Sequence, residues 1–417
     1  MHRIAEDNDM LTQTLEPIAR VDDFTRNLWR IHETTLKEGL AQPIISCINR
    51  ADYMLHTLQD GSIGVRQVEV NAIASSMSGH SNQLAKMHQY LMSKYRINPP
   101  IGSYFPENQS LGLVARGIAE AFHAYDKPMS YVLLIGEERS LNFSDHLHIE
   151  LALYMARPDT RIVRKRFVDL KALVSLGPNK ELMLEASKEI AVVYYRYAYD
   201  PTNYNFEGSW ELRLLLERSR AIKCPSINFH LSGAKKFQQV LNSPEQLEKY
   251  LDKKDAEALA QTFCKFWSLD SDETRPLVMS QADKLVLKPQ REGGGHNLFG
   301  SQIISFLESI TDPSVQSQFI LMELINSPEQ RNWLLLPDDT DDQNRLKSSD
   351  NLVSELGIFG SVLANGRQVL SNHSAGYLVR SKKHGVNEGG VATGYAGISN
   401  VLLLDDSRDD YKKFYEW

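Results

Sequence analysis

The sequence predicts an α/β chain of about two or three domains. Three observations carry that prediction. The stretch "RQVEVNAIA" alternates polar and apolar residues with a period of two, the pattern of a half-buried strand. The runs "YVLLIG" (131–136) and "IAVVYY" (190–195) are continuously apolar, as strands of a parallel sheet covered on both faces are. Helical patterns such as "HLHIELALYMA" separate these strands.

Taken in order, "DDFTRNLWRIHETTLKEGL" (22–40) places Phe24, Leu28, Ile31 and Leu36 at helical spacing, with Asp22 or Asp23 as N-cap. The alternating strand then sets Gln67, Glu69 and Asn71 on one face and Val68 and Val70 on the other. "SWELRLLLERSRAI" reads as a helix, and residues 244–284 read as solvated helices. "KLVLKP" is a strand that runs into "KPQREGGGHNLFG" (288–300). The helix "SQIISFLESI" and the strand "QFILMELI" (318–325) follow. The aspartate-rich "PDDTDDQNRLKSSDN" (337–351) has no periodicity and reads as a mobile surface loop. "IFGSVLANGRQVLSN" reads as a hairpin turning at Asn365-Gly366. A second glycine-rich stretch is "EGGVATGYAG" (388–397).

The 417 residues are 42% hydrophobic and 24% charged, an ordinary globular composition. A net charge of −7 argues against a broad nucleic-acid surface. The three cysteines form no CxxC pair, so neither a zinc site nor a disulfide framework is expected. No apolar run reaches the length of a membrane span, and "MHRIAEDNDM" lacks the apolar core of a signal peptide. The default compartment is the cytosol; a trimmed secreted chain would read the same way.

The glycine-rich loop is not a Walker A sequence, because Lys288 precedes the glycines at the end of a strand. Its backbone N–H groups suit a lid folded over phosphates; a bare surface turn is the bland alternative. Glu69 and Asn71 offer hard oxygens that suit Mg²⁺, with Glu292 as a further carboxylate; a solvated strand face is the alternative there. Lys235, Lys288, Arg291, Arg380 and Lys382 supply positive charge. No nucleophile–base pair stands out.

The blocks "LVLKPQREGGGHNLFG", "SELGIFG", "RSKK…EGGVATG", "LLLERSRAIKCP" and "NRADYM" resemble those of eukaryotic-type glutathione synthetase, from about residue 20 to about residue 400. That family carries more helical sequence ahead of this point, so the resemblance implies an N-terminally short chain. It implies an ATP-grasp fold with an inserted parallel-sheet substrate-binding domain. Residues 1–129 would form the N-terminal part of the body, 130–233 the substrate domain, and 234–417 the nucleotide-binding part.

The implied activity is ATP-dependent ligation of γ-glutamylcysteine and glycine through an acyl phosphate, by an enzyme that is commonly a homodimer. The implied magnesium ligands are Glu69, Asn71 and Glu292. ATP contacts would fall on Glu69, Lys235 and the run Lys288, Pro289, Gln290, Arg291, Glu292, Gly293, Gly294, Gly295, His296 and Asn297. Phe299, the adenine strand Met322, Glu323, Leu324 and Ile325, and Glu355, Lys382 and Glu388 complete that group. Peptide-substrate contacts would fall on Arg50, Ile73, Ala74, Ser75, Ser76, Ser140, Leu141, Asn142, His146, Arg196, Tyr197, Ala198, Tyr199, Arg380, Val391 and Ala392. Arg50, Lys288 and Arg380 would stabilise charge in the reaction.

Four positions depart from the family pattern. Ser140 and His146 stand where a glutamate and a glutamine usually read the γ-glutamyl end, and a histidine near neutral pH can oppose an ammonium; a small shift would let Glu138 serve instead. Thr393 replaces a common alanine, and Glu388 a usual aspartate. Two alternatives follow. One is a specificity-shifted ligase with another donor or acceptor. The other is a secreted nucleotide-binding effector with reduced or lost ligase activity, with which the sequons at Asn108, Asn142 and Asn372 are consistent.

Overall fold

Three sheets carry the chain in a computed structural model, which describes residues 1–98, 102–137, 140–291, 295–335, 346–387, 389–391 and 394–405; at 335 and 346–349 it describes backbone alone. The first sheet is antiparallel, in the order Gly397–Ser399, Gln368–Lys383, Leu346–Asn365, Ile44–Thr57, Ile63–Asn71, with Gln330–Leu335 added along the start of Leu346–Asn365. That pairing corrects one expectation. Residues 346–351 belong to a strand, because Leu346–Leu352 hydrogen-bonds to Gln330–Leu335; residues 336–345 lie outside the described ones. The hairpin exists, but Asn365 pairs with Gln368, so its two-residue turn is Gly366-Arg367, one residue later than the sequence suggests. Gly366 has φ +53, the left-handed conformation that such a turn asks of its first position.

In the second sheet Tyr131–Gly136 runs parallel to Arg161–Arg166 on one side and Lys188–Tyr195 on the other, and Ile222–Cys224 runs parallel to Lys188–Tyr195. A small antiparallel hairpin, Val174–Leu176 with Leu182–Leu184, extends it. The apolar runs are strands because both faces are covered. Leu133, Ile135, Val193 and Tyr195 pack under helices Asn8–Ala19 and Asp23–Glu38, through Leu11, Leu15, Leu28 and Ile31. Val132, Leu134, Val192 and Tyr194 pack under helix Ser110–Tyr125, whose core also takes in Ile48 and Leu363 of the first sheet. Helix Ser209–Arg218 is shorter than its sequence pattern. Ala221, Ile222 and Cys224 are buried and lead into or form the short strand.

The third sheet orders Leu298–Phe299, Leu285–Pro289, Phe319–Glu323 and Phe266–Trp267, all antiparallel. Residues 244–284 are therefore not helical and solvated throughout. Helices Pro244–Leu247, Lys253–Ala260 and Thr274–Gln281 flank a strand, and Cys264 and Val278 are buried. Helix Ser301–Ser309 packs Ile303 against Leu285, Leu287 and Leu321. All three cysteines are buried and unpaired. Among the described residues no helix is long and apolar enough to cross a membrane.

Candidate active site

The floor of the site is built from adjacent strands of the first sheet. Register places Arg50 opposite Asn71, Asp52 opposite Glu69, and Glu355 opposite Arg380. Asp52 sits at the centre and is fully buried. It accepts Nε of Arg50 at 2.6 Å, Nη2 of Arg50 at 2.8 Å, Nδ2 of Asn71 at 2.9 Å and Nη2 of Arg380 at 3.2 Å. Arg380 also pairs with Glu355. Reading the sequence missed Asp52, although the i, i+2 spacing of Arg50 and Asp52 in "NRADYM" sets both on one strand face. Gly357 lies opposite Asp52. A Cβ there would stand 2.5 Å from Oδ1 of Asp52 and 2.7 Å from Cδ of Arg50. Only glycine lets this ion pair lie flat across the sheet.

A wall of cations rises beside this floor. Nζ of Lys235 is 3.0 Å from Glu69 and 2.8 Å from the carbonyl of Arg291. Nζ of Lys288 donates to the carbonyl of Val68 at 2.9 Å. Strict alternation fails at Val68. Asp52 pairs with Glu69 and Tyr53 with Gln67, leaving Val68 as the extra residue of a bulge, and bulges re-aim groups beside active sites. Burial would raise the Glu69 carboxyl, but Lys235 and Lys288 outweigh it and hold the group well below the usual carboxylate range. Burial lowers the Lys288 ammonium against the pull of Glu69. Burial, with Asp52 adding to it, raises the Glu355 carboxyl despite Arg380.

The expected substrate contacts gather at the carboxyl ends of parallel strands, where open α/β sheets bind ligands. Ser140, Leu141, Asn142 and His146 follow Tyr131–Gly136, and Arg196, Tyr197, Ala198 and Tyr199 follow Lys188–Tyr195. Arg196 is buried. It holds the Ser75 carbonyl and reaches Asp145 at 3.4 Å, while Arg50 holds the Ser76 carbonyl at 3.2 Å. The segment Ile73–Ser76 is thus gripped from both sides. Within and beside it Ala74 and Met77 take φ of +53 and +74, and Ala198 takes +68, local strain of the kind that clusters at functional sites. Asp145 is already committed, accepting the N–H groups of Met77 at 3.0 Å and Gly79 at 2.7 Å.

His146 is buried, and burial together with Arg196 pulls its pKa down to about 3. It is neutral near neutral pH, which corrects the expectation of an opposing charge. Ser140 accepts the N–H of Asn142 at 3.1 Å. Leu141 is 75% exposed, so its side chain is not held in the site. Glu137, at the end of its strand, lies near enough to Tyr199 to add to burial in raising that hydroxyl. Glu138 lies outside the described residues.

Among the expected ATP contacts, Phe299 and Met322 both pair with Val286. These three cluster with Cys264, Phe266 and Ile325 as an apolar platform. The N–H groups of Glu323 and Leu324 are engaged by the carbonyls of Lys265 and Lys284, at 2.9 and 2.8 Å. Pro289 ends its strand, and Gln290 is buried with Oε1 accepting the N–H of Lys236 at 3.0 Å. The Arg291 guanidinium does not face the cations; it pairs with Asp22. Gly295 (φ +77) and His296 are exposed and Asn297 half-buried. Lys382 donates to the Asn387 carbonyl at 3.2 Å. Val391 packs against the cluster of Met77, Leu113, Phe359 and Leu378, of which Met77 directly follows Ile73–Ser76. Glu292, Gly293, Gly294, Glu388, Ala392 and Thr393 lie outside the described residues. Among the described residues no cluster of three or more His, Cys, Asp or Glu side chains forms a metal cage.

Residues 1–403 match the family model described as eukaryotic glutathione synthase, ATP binding domain. The chain is 37% identical over 404 residues to glutathione synthetase of Homo sapiens, covering 95% of this chain and 83% of that protein. To the chloroplastic glutathione synthetase of Solanum lycopersicum it is 33% identical over 408 residues, covering 96% and 72%. A solved structure, a glutathione synthetase-like effector from Globodera pallida, superposes with a TM-score of 0.74 at 21% identity, covering 97% of this chain and 83% of that one. At that identity the superposition speaks for the fold.

Proposed function

Because the chain belongs to the eukaryotic glutathione synthetase family and has an ATP-grasp α/β fold, we propose that it joins γ-glutamylcysteine to glycine using ATP. The donor carboxylate attacks the γ-phosphorus and ADP leaves. The glycine amine then attacks the resulting acyl phosphate, inorganic phosphate leaves and the amine proton is lost to solvent. Neither step needs a side-chain nucleophile; positioning and charge stabilisation suffice. The observation that carries this reading is the row Arg50–Asp52–Arg380 beside Lys235 and Lys288. Arg50 and Arg380 are pre-oriented by Asp52 and suit a carboxylate and its phosphorylated form. Lys235 and Lys288 suit the phosphates, over which the glycine-rich segment 288–297 would lie. The platform of Phe299, Met322 and Ile325 suits adenine.

A divalent cation fits the donor set. Nδ2 of Asn71 is taken by Asp52 and Glu69, which leaves Oδ1 to act as a hard ligand beside the Glu69 carboxylate. Glu69, Asn71 and Glu292 would hold Mg²⁺, and bound Mg²⁺ supplies neutralisation of phosphate charge. The proposal includes the domain division at residues 130 and 234 and a cytosolic homodimer, which rests on family membership.

A second reading, weakened recognition of the γ-glutamyl end, is favoured by one observation. Ser140 and neutral His146 bring no carboxylate, and Asp145 is committed to backbone N–H groups and Arg196. Labelling the cysteinyl carboxylate of γ-glutamylcysteine with ¹⁸O tests the main proposal. One labelled oxygen should appear in each phosphate released. Unlabelled phosphate would mean that water, not the donor, attacks ATP.

A further inference from the structure

Arg291 presents its two ends to different partners. Its carbonyl faces the cation wall and accepts Nζ of Lys235 at 2.8 Å, and the same Nζ lies 3.0 Å from Glu69. Its guanidinium points the other way, onto Asp22, with Cζ 6.0 Å from the centre of the Phe24 ring. Asp22 is buried and divides its oxygens. Oδ2 caps helix Asp23–Glu38 through the N–H of Thr25 at 2.9 Å, and Oδ1 takes Arg291. Neighbouring contacts anchor the same strand end: Gln290 N–H donates to the Gln318 carbonyl at 3.0 Å, and Gln318 Nε2 donates to the Val21 carbonyl at 3.0 Å.

We infer that Asp22, acting through Arg291, is a positioning residue for the ligase. By holding the Arg291 guanidinium on the helix side, it aims the Arg291 carbonyl at Lys235 and so sets that cation against Glu69. This inference rests on the proposed nucleotide site, and it makes the Arg291 side chain a tether rather than a phosphate contact. The plain alternative is that Asp22 only caps its helix.

Two substitutions separate these roles. Asp22→Ser keeps a good N-cap but loses the charge that holds Arg291. Arg291→Met keeps the cap and loses the same pair. Calorimetric titration of the full chain with ADP and Mg²⁺, together with steady-state kinetics, reads the outcome. Each single variant should weaken ADP binding by about tenfold, which corresponds to roughly 1.4 kcal/mol. Each should raise KM for ATP more than it lowers kcat, and the double variant should be no worse than either single one, the mark of a shared interaction. Wild-type-like ADP affinity in Asp22→Ser, or losses that add in the double variant, would overturn the inference. A wild-type chain that binds no ADP would sink the nucleotide-site reading itself, and this inference with it.

Discussion

Asp52 holds two arginines and an asparagine at once, and Gly357 is the reason they fit. Gly357→Ala would push a methyl group into a buried ion pair whose members are locked to each other. We expect kcat/KM to fall by at least about tenfold, equivalent to roughly 1.4 kcal/mol in the barrier, with the circular dichroism spectrum unchanged. Specificity is the other question at this scale. Replacing Ser140 with Glu and His146 with Gln should raise kcat/KM for γ-glutamylcysteine by about tenfold or more, since a charge-assisted hydrogen bond is worth about 1.5–3 kcal/mol. No gain would mean that an acid such as Glu137 already reads the donor ammonium. The shared face of Glu69 and Asn71 is legible in the sequence, because period-two alternation puts both there; their role as ligands belongs to the proposal. Asp52 and Gly357 are not legible, because their roles depend on register between strands far apart in the chain.

Among the elements, Gly376 is tightly constrained. It has φ +76, and a Cβ there would lie 2.0 Å from the backbone nitrogen of Ser110, at the start of helix Ser110–Tyr125. Asn108 bolts that junction, donating to the Tyr377 carbonyl at 2.8 Å and accepting its N–H at 3.0 Å. Gly376→Ala combines a backbone clash with a strained conformation, so it should destabilise by about 3 kcal/mol or more, visible as a large fall in Tm. The strand Tyr131–Gly136 is legible to the residue because both of its faces are buried. The two-residue strand Phe266–Trp267 and the bulge at Val68 left no periodic trace: the first is too short, and the second interrupts the pattern that reveals its strand.

Across the whole molecule, stability should depend on pH through buried histidines. Burial pulls His32 down to about 4, His146 is pulled down to about 3, and His230 lies well below the ordinary range. The unfolded chain binds protons at these sites from about pH 6.5 downward while the folded chain does not, so stability is full above that pH and is lost as pH falls toward 4. His32 alone should account for roughly 2 kcal/mol by pH 5. Tm measured from pH 7 to 5 should fall for wild type and fall less for His32→Gln; parallel curves would contradict the assignment.

At the same scale, paired charges on the first sheet lie beside Lys235 and Lys288, no nucleophile–base pair stands out among the described residues, and we propose that this site makes a peptide bond with ATP. The direct measurement incubates the full chain with ATP, Mg²⁺, γ-glutamylcysteine and glycine and quantifies ADP and glutathione together. The proposed ligation yields one glutathione per ADP, with neither formed when the donor is withheld. ADP released without peptide, or no turnover at saturating donor, would contradict it.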